Sequence, residues 1–127
     1  MSQLHALVID DNTQNLKVFS QMLSKQGISS TVVSHPTELE TMLPTLEPVD
    51  VVFLDLEMPD LDGYAVKDLL KTHLTGVPII ACTVHVSEMN VVRQLGFDGF
   101  LSKPLDSTRF PEQIARILRG EGVWERA

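Results

Sequence analysis

Five short apolar runs recur along the chain and predict five β-strands. They cover residues 4–9, 28–34, 49–54, 77–82 and 99–101. Two of them contain the stretches "VVFL" and "VPII", which are apolar at every position rather than at every second position. This continuous pattern is typical of parallel strands, because helices cover both faces of a parallel sheet.

Segments with a helical spacing of apolar residues separate these runs, and each has a suitable first residue. The predicted helix starts are Asn12 or Thr13, Pro36, Asp62 or Gly63, Ser87, and Ser107 or Thr108. Gly27 and Gly120 predict the ends of the first and last helices, and Pro59 is expected only to form a turn. Strict alternation of strand and helix predicts an α/β fold with a doubly wound parallel sheet and right-handed crossovers.

The chain length predicts a single domain over residues 1–127, with its core at about 4–120 and a short C-terminal tail at 121–127. In the tail, Trp124 is expected to pack against its own domain. Three histidines, His5, His35 and His73, form no ligand-like cluster and are predicted to lie at the surface.

Charge and composition exclude several classes of protein. The formal net charge of −7 argues against direct binding to nucleic acid, which needs clustered Lys and Arg side chains. No uncharged stretch is long enough to predict a membrane span. With one cysteine and no recognisable secretory signal, the sequence predicts a cytoplasmic protein without an internal disulfide.

Polar residues with chemical potential stand directly after the predicted strands. They are Asp10 and Asp11 after the first strand, Asp55 after the third, Thr83 after the fourth and Lys103 after the fifth. In doubly wound sheets, ligands bind beyond the carboxyl ends of the strands, near the point where strand order reverses. We therefore expect these five side chains to converge at one edge of the sheet.

The three carboxylates would repel one another, and hard oxygen ligands of this kind suit Mg²⁺. Thr83 can donate a hydrogen bond to a phosphoryl oxygen, and Lys103 adds a positive charge. One carboxylate can then act as a nucleophile that forms an acyl phosphate. Asp55 is preferred for that role because it ends its strand alone, whereas Asp10 and Asp11 are a pair suited to a metal.

Four segments in this order, "VIDDN", "DLEMPDLDG", "ACTV" and "FLSKP", resemble the motifs of response-regulator receiver domains, the phosphoacceptor modules of two-component signalling. The likeness extends over essentially the whole chain. It implies a flavodoxin-like, five-stranded sheet in the order 2-1-3-4-5 with helices on both faces. It also implies that Asp55 accepts a phosphoryl group from a histidine of a sensor kinase or a histidine phosphotransfer protein.

The same resemblance assigns the remaining roles. The implied ligands of Mg²⁺, or of Mn²⁺, are Asp10, Asp11, Asp55 and the main-chain carbonyl of Glu57. Thr83 and Lys103 would hold the phosphoryl group, and Phe100 would be a switch residue that turns inward when Thr83 moves. The Lys103-Pro104 bond is expected to be cis. The face made by the fourth helix, fifth strand and fifth helix would contact downstream protein targets.

Three residues near the predicted site depart from the family pattern or vary within it. Val84 stands where the family generally has a small residue, which predicts restricted access to the phosphoryl group or a restricted inward path for Phe100. Glu57 and His85 stand where family members differ in hydrolysis rate, and we predict that they set the lifetime of the phosphorylated form.

The function predicted is that of a stand-alone, phosphorylation-controlled binding module, which catalyses only its own aspartyl phosphorylation and dephosphorylation. A receiver fragment of a larger hybrid kinase or regulator is an open alternative. An aspartyl-phosphate phosphatase of the haloacid dehalogenase type is disfavoured, because Glu57 stands where that family has a second aspartate. An FMN carrier is disfavoured because "DDNTQN" begins with two acids that would repel a phosphate.

Overall fold

The computed structural model describes residues 4–46, 48–58 and 62–125. The strands are β1 His5–Ile9, β2 Ser29–Val33, β3 Val51–Asp55, β4 Ile79–Thr83, β5 Gly99–Ser102 and β6 Val123–Glu125. The helices are α1 Thr13–Lys25, α2 Leu39–Met42, α3 Gly63–His73, α4 Met89–Gln94 and α5 Phe110–Leu118. The turn predicted at Pro59, and the ends of the predicted domain at 1–3 and 126–127, lie outside the described residues.

All six strands belong to one parallel sheet in the order β2-β1-β3-β4-β5-β6. The predicted five-stranded core and its order are confirmed, and a short sixth strand is added to it. Residues 123–125 of the tail form the sixth strand, beside β5. Three residues give too short a pattern to be noticed, and strand structure depends on a neighbouring strand more than on local preference.

The first and third helices begin where the sequence predicts. Asn12 caps α1 and Asp62 caps α3, each by accepting two main-chain N–H groups on its side-chain oxygen. The starts predicted for the last two helices are wrong by two or three residues. Neither α4 nor α5 has a side-chain cap, so no capping residue marks their starts in the sequence: Ser87 lies in a 3-10 turn, and α5 starts only at Phe110.

Helices cover both faces of the sheet, as predicted, and divide the apolar core in two. The cluster beneath α1 and α5 contains three aromatic rings, Phe19, Phe53 and Phe110, with centroids 5.0 to 6.5 Å apart. The opposite cluster, beneath α2, α3 and α4, contains Leu54 and Phe100. Because successive strand residues alternate between these two clusters, the central strands are buried at every position.

Two further predictions concern single residues and the membrane. His5 was expected at the surface, but it is buried, with its ring nitrogens 2.6 Å from Ser29 Oγ and 2.7 Å from Thr31 Oγ1. The two hydroxyl groups replace water around the ring, which makes its burial tolerable. Among the described residues, none of the helices combines the length and the apolar character needed to cross a bilayer.

Candidate functional site

The predicted site residues do meet at one edge of the sheet. Ile9 pairs with Leu54, so that Asp10 and Asp55 follow at neighbouring strand ends. Thr83 ends β4 and pairs with Ser102, the last residue of β5, so Lys103 follows directly after that strand. Asp10, Asp55 and Thr83 are buried there.

The three acids form one cluster. Asp10, Asp11 and Asp55 each offer a carboxylate oxygen within 4.8 Å of the other two. Asp10 Oδ1 accepts the N–H of Asn12 at 2.9 Å. Asp10 Oδ2 is buried, has no hydrogen-bond partner among the described residues, and lies 3.7 Å from Lys103 Nζ. Burial, followed by the nearby charge of Asp55, raises the pKa of Asp10 to about 6 despite the Asn12 hydrogen bond.

This cluster fits a divalent cation. A buried carboxylate oxygen without a donor is costly, and a cation held by oxygen ligands with room for water relieves that cost. Asp11 is exposed and so leaves the cluster open to solvent. The main chain of Glu57 lies beside it, because the Glu57 N–H donates to Asp55 Oδ1 at 3.0 Å. The ligand role of the Glu57 carbonyl stays a prediction.

Lys103 faces the same acids from the turn directly after β5. Its Nζ donates to Asp55 Oδ1 at 2.9 Å, and its main-chain N–H donates to the carbonyl of Thr83 at 3.0 Å. Burial alone would lower the pKa of Lys103, but the hydrogen bond to Asp55 and the charges of Asp55 and Asp10 outweigh it and raise that pKa. The side chain is therefore held as a cation against Asp55. The Lys103-Pro104 peptide bond is cis, as expected.

The other half of the site is built around the side chain of Glu57. Glu57 Oε1 accepts both the hydroxyl of Thr83 and the main-chain N–H of Val84. Burial works to raise the pKa of Glu57, but these two hydrogen bonds lower it below its ordinary value. Thr83 Oγ1 in turn accepts the N–H of His85 at 3.1 Å. Donors that could hold a phosphoryl oxygen are thus already bound to a carboxylate of the chain itself.

Sequence reasoning missed this contact of the Glu57 carboxylate. The signal was an acid two residues after Asp55, opposite a strand that ends in a hydroxyl. To predict the contact between Glu57 and Thr83, one needs to know that Asp55 pairs with Cys82. One also needs the direction in which the Glu57 side chain points beyond the edge of the sheet. Loop geometry of that kind does not follow from the periodicity of apolar residues.

The remaining predicted residues lie at the rim and behind the site. Phe100 is fully buried, in the apolar cluster beneath α2, α3 and α4. Val84 is 49% exposed, and His85 is also exposed. Their predicted effects on access and lifetime stay predictions.

Comparison with known families decides which family the chain belongs to. The sequence matches the family described as response regulator receiver domain over residues 6–115. The chain belongs to that family. Every strand end that carries an acid, the threonine or the lysine of the site lies inside the matched part of this receiver domain.

Curated relatives of this receiver domain are of two kinds. The sensor histidine kinase GacS of Pseudomonas protegens is 30% identical, over 95% of this chain but only 14% of the kinase. The polar-differentiation response regulator DivK of Brucella anthropi is 27% identical, over 88% of this chain and 94% of DivK. The chain spans from 7% to 14% of the first kinases that it matches.

Solved structures share the fold. A CheY-like response regulator receiver domain protein from Methanospirillum hungatei superposes with a TM-score of 0.81 at 20% identity, covering 93% of this chain and 95% of that one. The response regulator RcsB of Salmonella typhimurium gives a TM-score of 0.83 at 23% identity, covering 98% of this chain and 63% of that one. At such identities the likeness concerns the fold.

A groove of about 130 Å³ opens beside the site of this receiver domain. It lies between α1 and the turn after β5, and its lining comprises Asn15, Val18, Phe19, Lys103, Pro104 and Leu105. Val18 is 39% exposed there. Lys103 both lines the groove and contacts Asp55, so the groove adjoins the acidic cluster through this one side chain.

Proposed function

We propose that Asp55 accepts a phosphoryl group from a phosphohistidine of a sensor kinase or a histidine phosphotransfer protein, and that protein partners read the resulting change. The observation that carries this proposal is the buried Asp55 carboxylate, which lies between two further acids and Lys103 at the carboxyl edge of the sheet. Burying several acids together is costly, and the ion pair with Lys103 accounts for only one of them.

In the proposed step, a carboxylate oxygen of Asp55 attacks phosphorus. The new P–O bond forms as the P–N bond breaks, and the leaving imidazole nitrogen keeps the electron pair and takes up a proton. Mg²⁺ held by Asp10, Asp11, Asp55 and the carbonyl of Glu57 would offset the negative charge that gathers there. The Lys103 ammonium group, which now contacts the Asp55 carboxylate, would bind an oxygen of the phosphoryl group attached to Asp55.

The side chain of Glu57 supports a role in phosphate lifetime. A phosphoryl oxygen can take the Thr83 hydroxyl and the Val84 N–H only when Glu57 releases them. The Glu57 carboxylate therefore competes with the phosphoryl group for these two donors. Once displaced, the carboxylate lies beside the phosphoryl group. The main-chain N–H of His85 donates to the same hydroxyl, and the electrostatic influence of the His85 side chain contributes to the lowered pKa of Glu57. We therefore assign the lifetime of the phosphorylated form to Glu57 and His85.

The groove beside Lys103 is the proposed contact of the phosphohistidine donor protein. An exposed Val18 and the apolar side of Pro104 offer a surface for that protein next to the nucleophile. Replacing Val18 by Glu should slow phosphoryl transfer from a phosphorylated histidine phosphotransfer protein. The same variant should keep the wild-type rate with a small acyl phosphate, which needs no docking surface.

The proposed step uses residues of this chain alone, so it applies to a separate response regulator and equally to a receiver within a hybrid kinase. In either setting the domain catalyses only reactions of its own Asp55, in the cytoplasm and without binding nucleic acid directly. A phosphatase is less well supported, because Glu57 binds Thr83 and Val84 instead of standing free as an acid or base.

Mass measurement tests the proposed function. The protein is incubated with a small acyl phosphate and Mg²⁺, and the intact masses of wild type, Asp55→Asn and Asp68→Asn are compared. Wild type and Asp68→Asn, which changes an exposed acid of α3, should gain one phosphoryl group. Asp55→Asn should gain none. An equal gain by Asp55→Asn, or no gain by wild type, contradicts the proposal.

A further inference from the structure

Strand β6 covers the outer edge of β5. Its three residues pair in register with Gly99, Phe100 and Leu101. An uncovered edge strand exposes unpaired N–H and C=O groups that attract other strands. The chain therefore uses its own tail to occupy the edge of the strand that carries the predicted switch residue.

A carboxylate fastens β6 to α5. Glu125 Oε1 accepts from Arg109 Nη2 at 2.8 Å and from Gln113 Nε2 at 3.0 Å, and Glu125 Oε2 accepts from Arg116 Nη1 at 3.1 Å. Two guanidinium groups and an amide thus form a receptor for one acid. Charge-assisted hydrogen bonds of this kind are stronger than neutral ones.

An aromatic ring fastens β6 on the α4 side. Trp124 is partly buried and packs against the apolar cluster that contains Phe100. The Arg93 guanidinium of α4 lies 5.1 Å from the centroid of the Trp124 ring, within the range of a cation–π contact. Strand β6 therefore bridges α4 and α5 across β5, the face predicted to contact downstream targets.

Strand pairing connects β6 to the candidate site. Asp55 pairs with Cys82, Cys82 with Leu101, and Leu101 with Glu125, so one row of the sheet runs from the nucleophile to the tail. In the adjacent row, Phe100 pairs with Trp124. A movement of Phe100 towards Thr83 would withdraw apolar support from Trp124. A three-residue strand has few contacts, so a small loss favours its release.

We propose that phosphorylation of Asp55 weakens the docking of β6, and that the surface it leaves binds an extended, acidic segment of a downstream partner. This inference rests on the proposed function. The surface comprises the edge of β5 and the Arg109, Gln113 and Arg116 side chains, which suit a strand that carries a carboxylate. Strand β6 is itself such a segment. By reciprocity of coupling, docked β6 opposes phosphorylation.

The fluorescence of Trp124 tests whether phosphorylation weakens the docking of β6, because Trp124 is the single tryptophan of the chain. Addition of acyl phosphate and Mg²⁺ should shift its emission to longer wavelength and increase its quenching by acrylamide, with no change in Asp55→Asn. If the protein gains phosphoryl mass but neither the emission nor the quenching of Trp124 changes, the inference about β6 is wrong, whereas the proposed function still stands. No phosphoryl mass on wild type overturns the proposed function, and this inference with it.

Substitutions at the carboxylate test the reciprocity. Glu125→Gln keeps the size of the side chain but loses its charge, so its Trp124 emission should be shifted before any donor is added. It should be phosphorylated about fivefold faster than wild type, at the lower end of typical couplings. Glu112→Gln is the matched control, because Glu112 also faces Arg116, at 3.6 Å, from outside β6. A wild-type rate in a folded Glu125→Gln with shifted emission overturns the coupling.

A peptide with the tail sequence "EGVWERA" tests the second half. Fluorescein-labelled peptide should bind phosphorylated wild type at least about fivefold more tightly than unphosphorylated protein. The same peptide with glutamine in place of the acid that follows tryptophan should bind more weakly. Equal binding of both peptides, or no preference for the phosphorylated protein, overturns the assignment of an acidic segment to this surface.

Discussion

The two halves of the candidate site are in opposite electrostatic states. On the side of β1 and β3, three acids crowd together, and Asp10 has a buried oxygen without a hydrogen-bond donor among the described residues. On the side of β4, the Thr83 hydroxyl and the Val84 N–H are both bound by Glu57. In the first half, three acids share the single ammonium group of Lys103, whereas in the second half the hydrogen-bond donors are already bound to an anion.

This difference separates what the two halves require. The acid side carries a repulsive energy that a cation removes, so metal binding there is favourable in itself. The Glu57 side is satisfied before any phosphoryl group arrives, so phosphorylation must replace existing hydrogen bonds. The acid side is therefore expected to govern whether phosphorylation occurs, and the Glu57 side to govern how fast it occurs and how long it lasts.

Substitution of the buried acid should give the largest effect. Asp10→Asn should slow Mg²⁺-dependent phosphorylation at least about 100-fold, since even outer-shell partners of a metal are worth about 10- to 100-fold. It should also stabilise the metal-free protein at neutral pH by roughly 1–3 kcal/mol, because each unit of raised pKa corresponds to about 1.4 kcal/mol. Mass time courses and urea unfolding measure the two effects. The exposed Asp11→Asn is the control, with a smaller gain in stability; a destabilised Asp10→Asn contradicts the repulsion.

Loss of the ammonium group that joins the halves ranks second. Lys103→Gln should slow phosphorylation by roughly 10- to 100-fold, because a hydrogen bond to a charged group contributes about 1.5–3 kcal/mol. Lys71→Gln, which removes an ion pair with Asp98, is the control and should match wild type. The rates come from intact mass against time. Equal rates in the two variants would exclude Lys103 from the transfer step.

Weakening the hydrogen bonds of the Glu57 carboxylate should speed phosphorylation, whereas the two substitutions above should slow it. Glu57→Gln should speed phosphorylation by roughly 3- to 10-fold. The neutral amide is a weaker acceptor than the carboxylate, so releasing the two donors should cost about 1 kcal/mol less than in wild type. Glu57→Ala and His85→Ala should also change the rate of dephosphorylation, followed by loss of phosphoryl mass after the donor is removed. If both leave that rate unchanged, these residues do not set the lifetime.

The exposed rim residue should have the smallest effect. Val84→Ala should raise the phosphorylation rate by about twofold, because substitutions at exposed positions typically change free energies by up to about 0.5 kcal/mol. The variant keeps the main-chain N–H that donates to Glu57, so it separates access from hydrogen bonding. If Val84→Ala changes the phosphorylation rate as much as Glu57→Gln does, then access past Val84, and not the Glu57 carboxylate, limits that rate.

The sequence pattern alone predicted a parallel sheet covered on both faces and the meeting of Asp10, Asp55, Thr83 and Lys103, whereas the strand order was implied by the resemblance to receiver domains. Parallel strands covered on both faces are apolar throughout, and their carboxyl ends share one edge, so local pattern and site position are linked. The caps Asn12 and Asp62 were also predictable, because they bind N–H groups two or three residues away.

Only the tertiary structure decided the features that depend on distant partners. Strand β6 exists because β5 offers an edge and α5 offers Arg109 and Arg116 to Glu125. The Glu57 carboxylate reaches Thr83 because two strands end side by side, and α4 and α5 begin without the side-chain caps that would mark their starts in the sequence. Such contacts join residues far apart in the chain, and no periodicity of neighbouring residues encodes them.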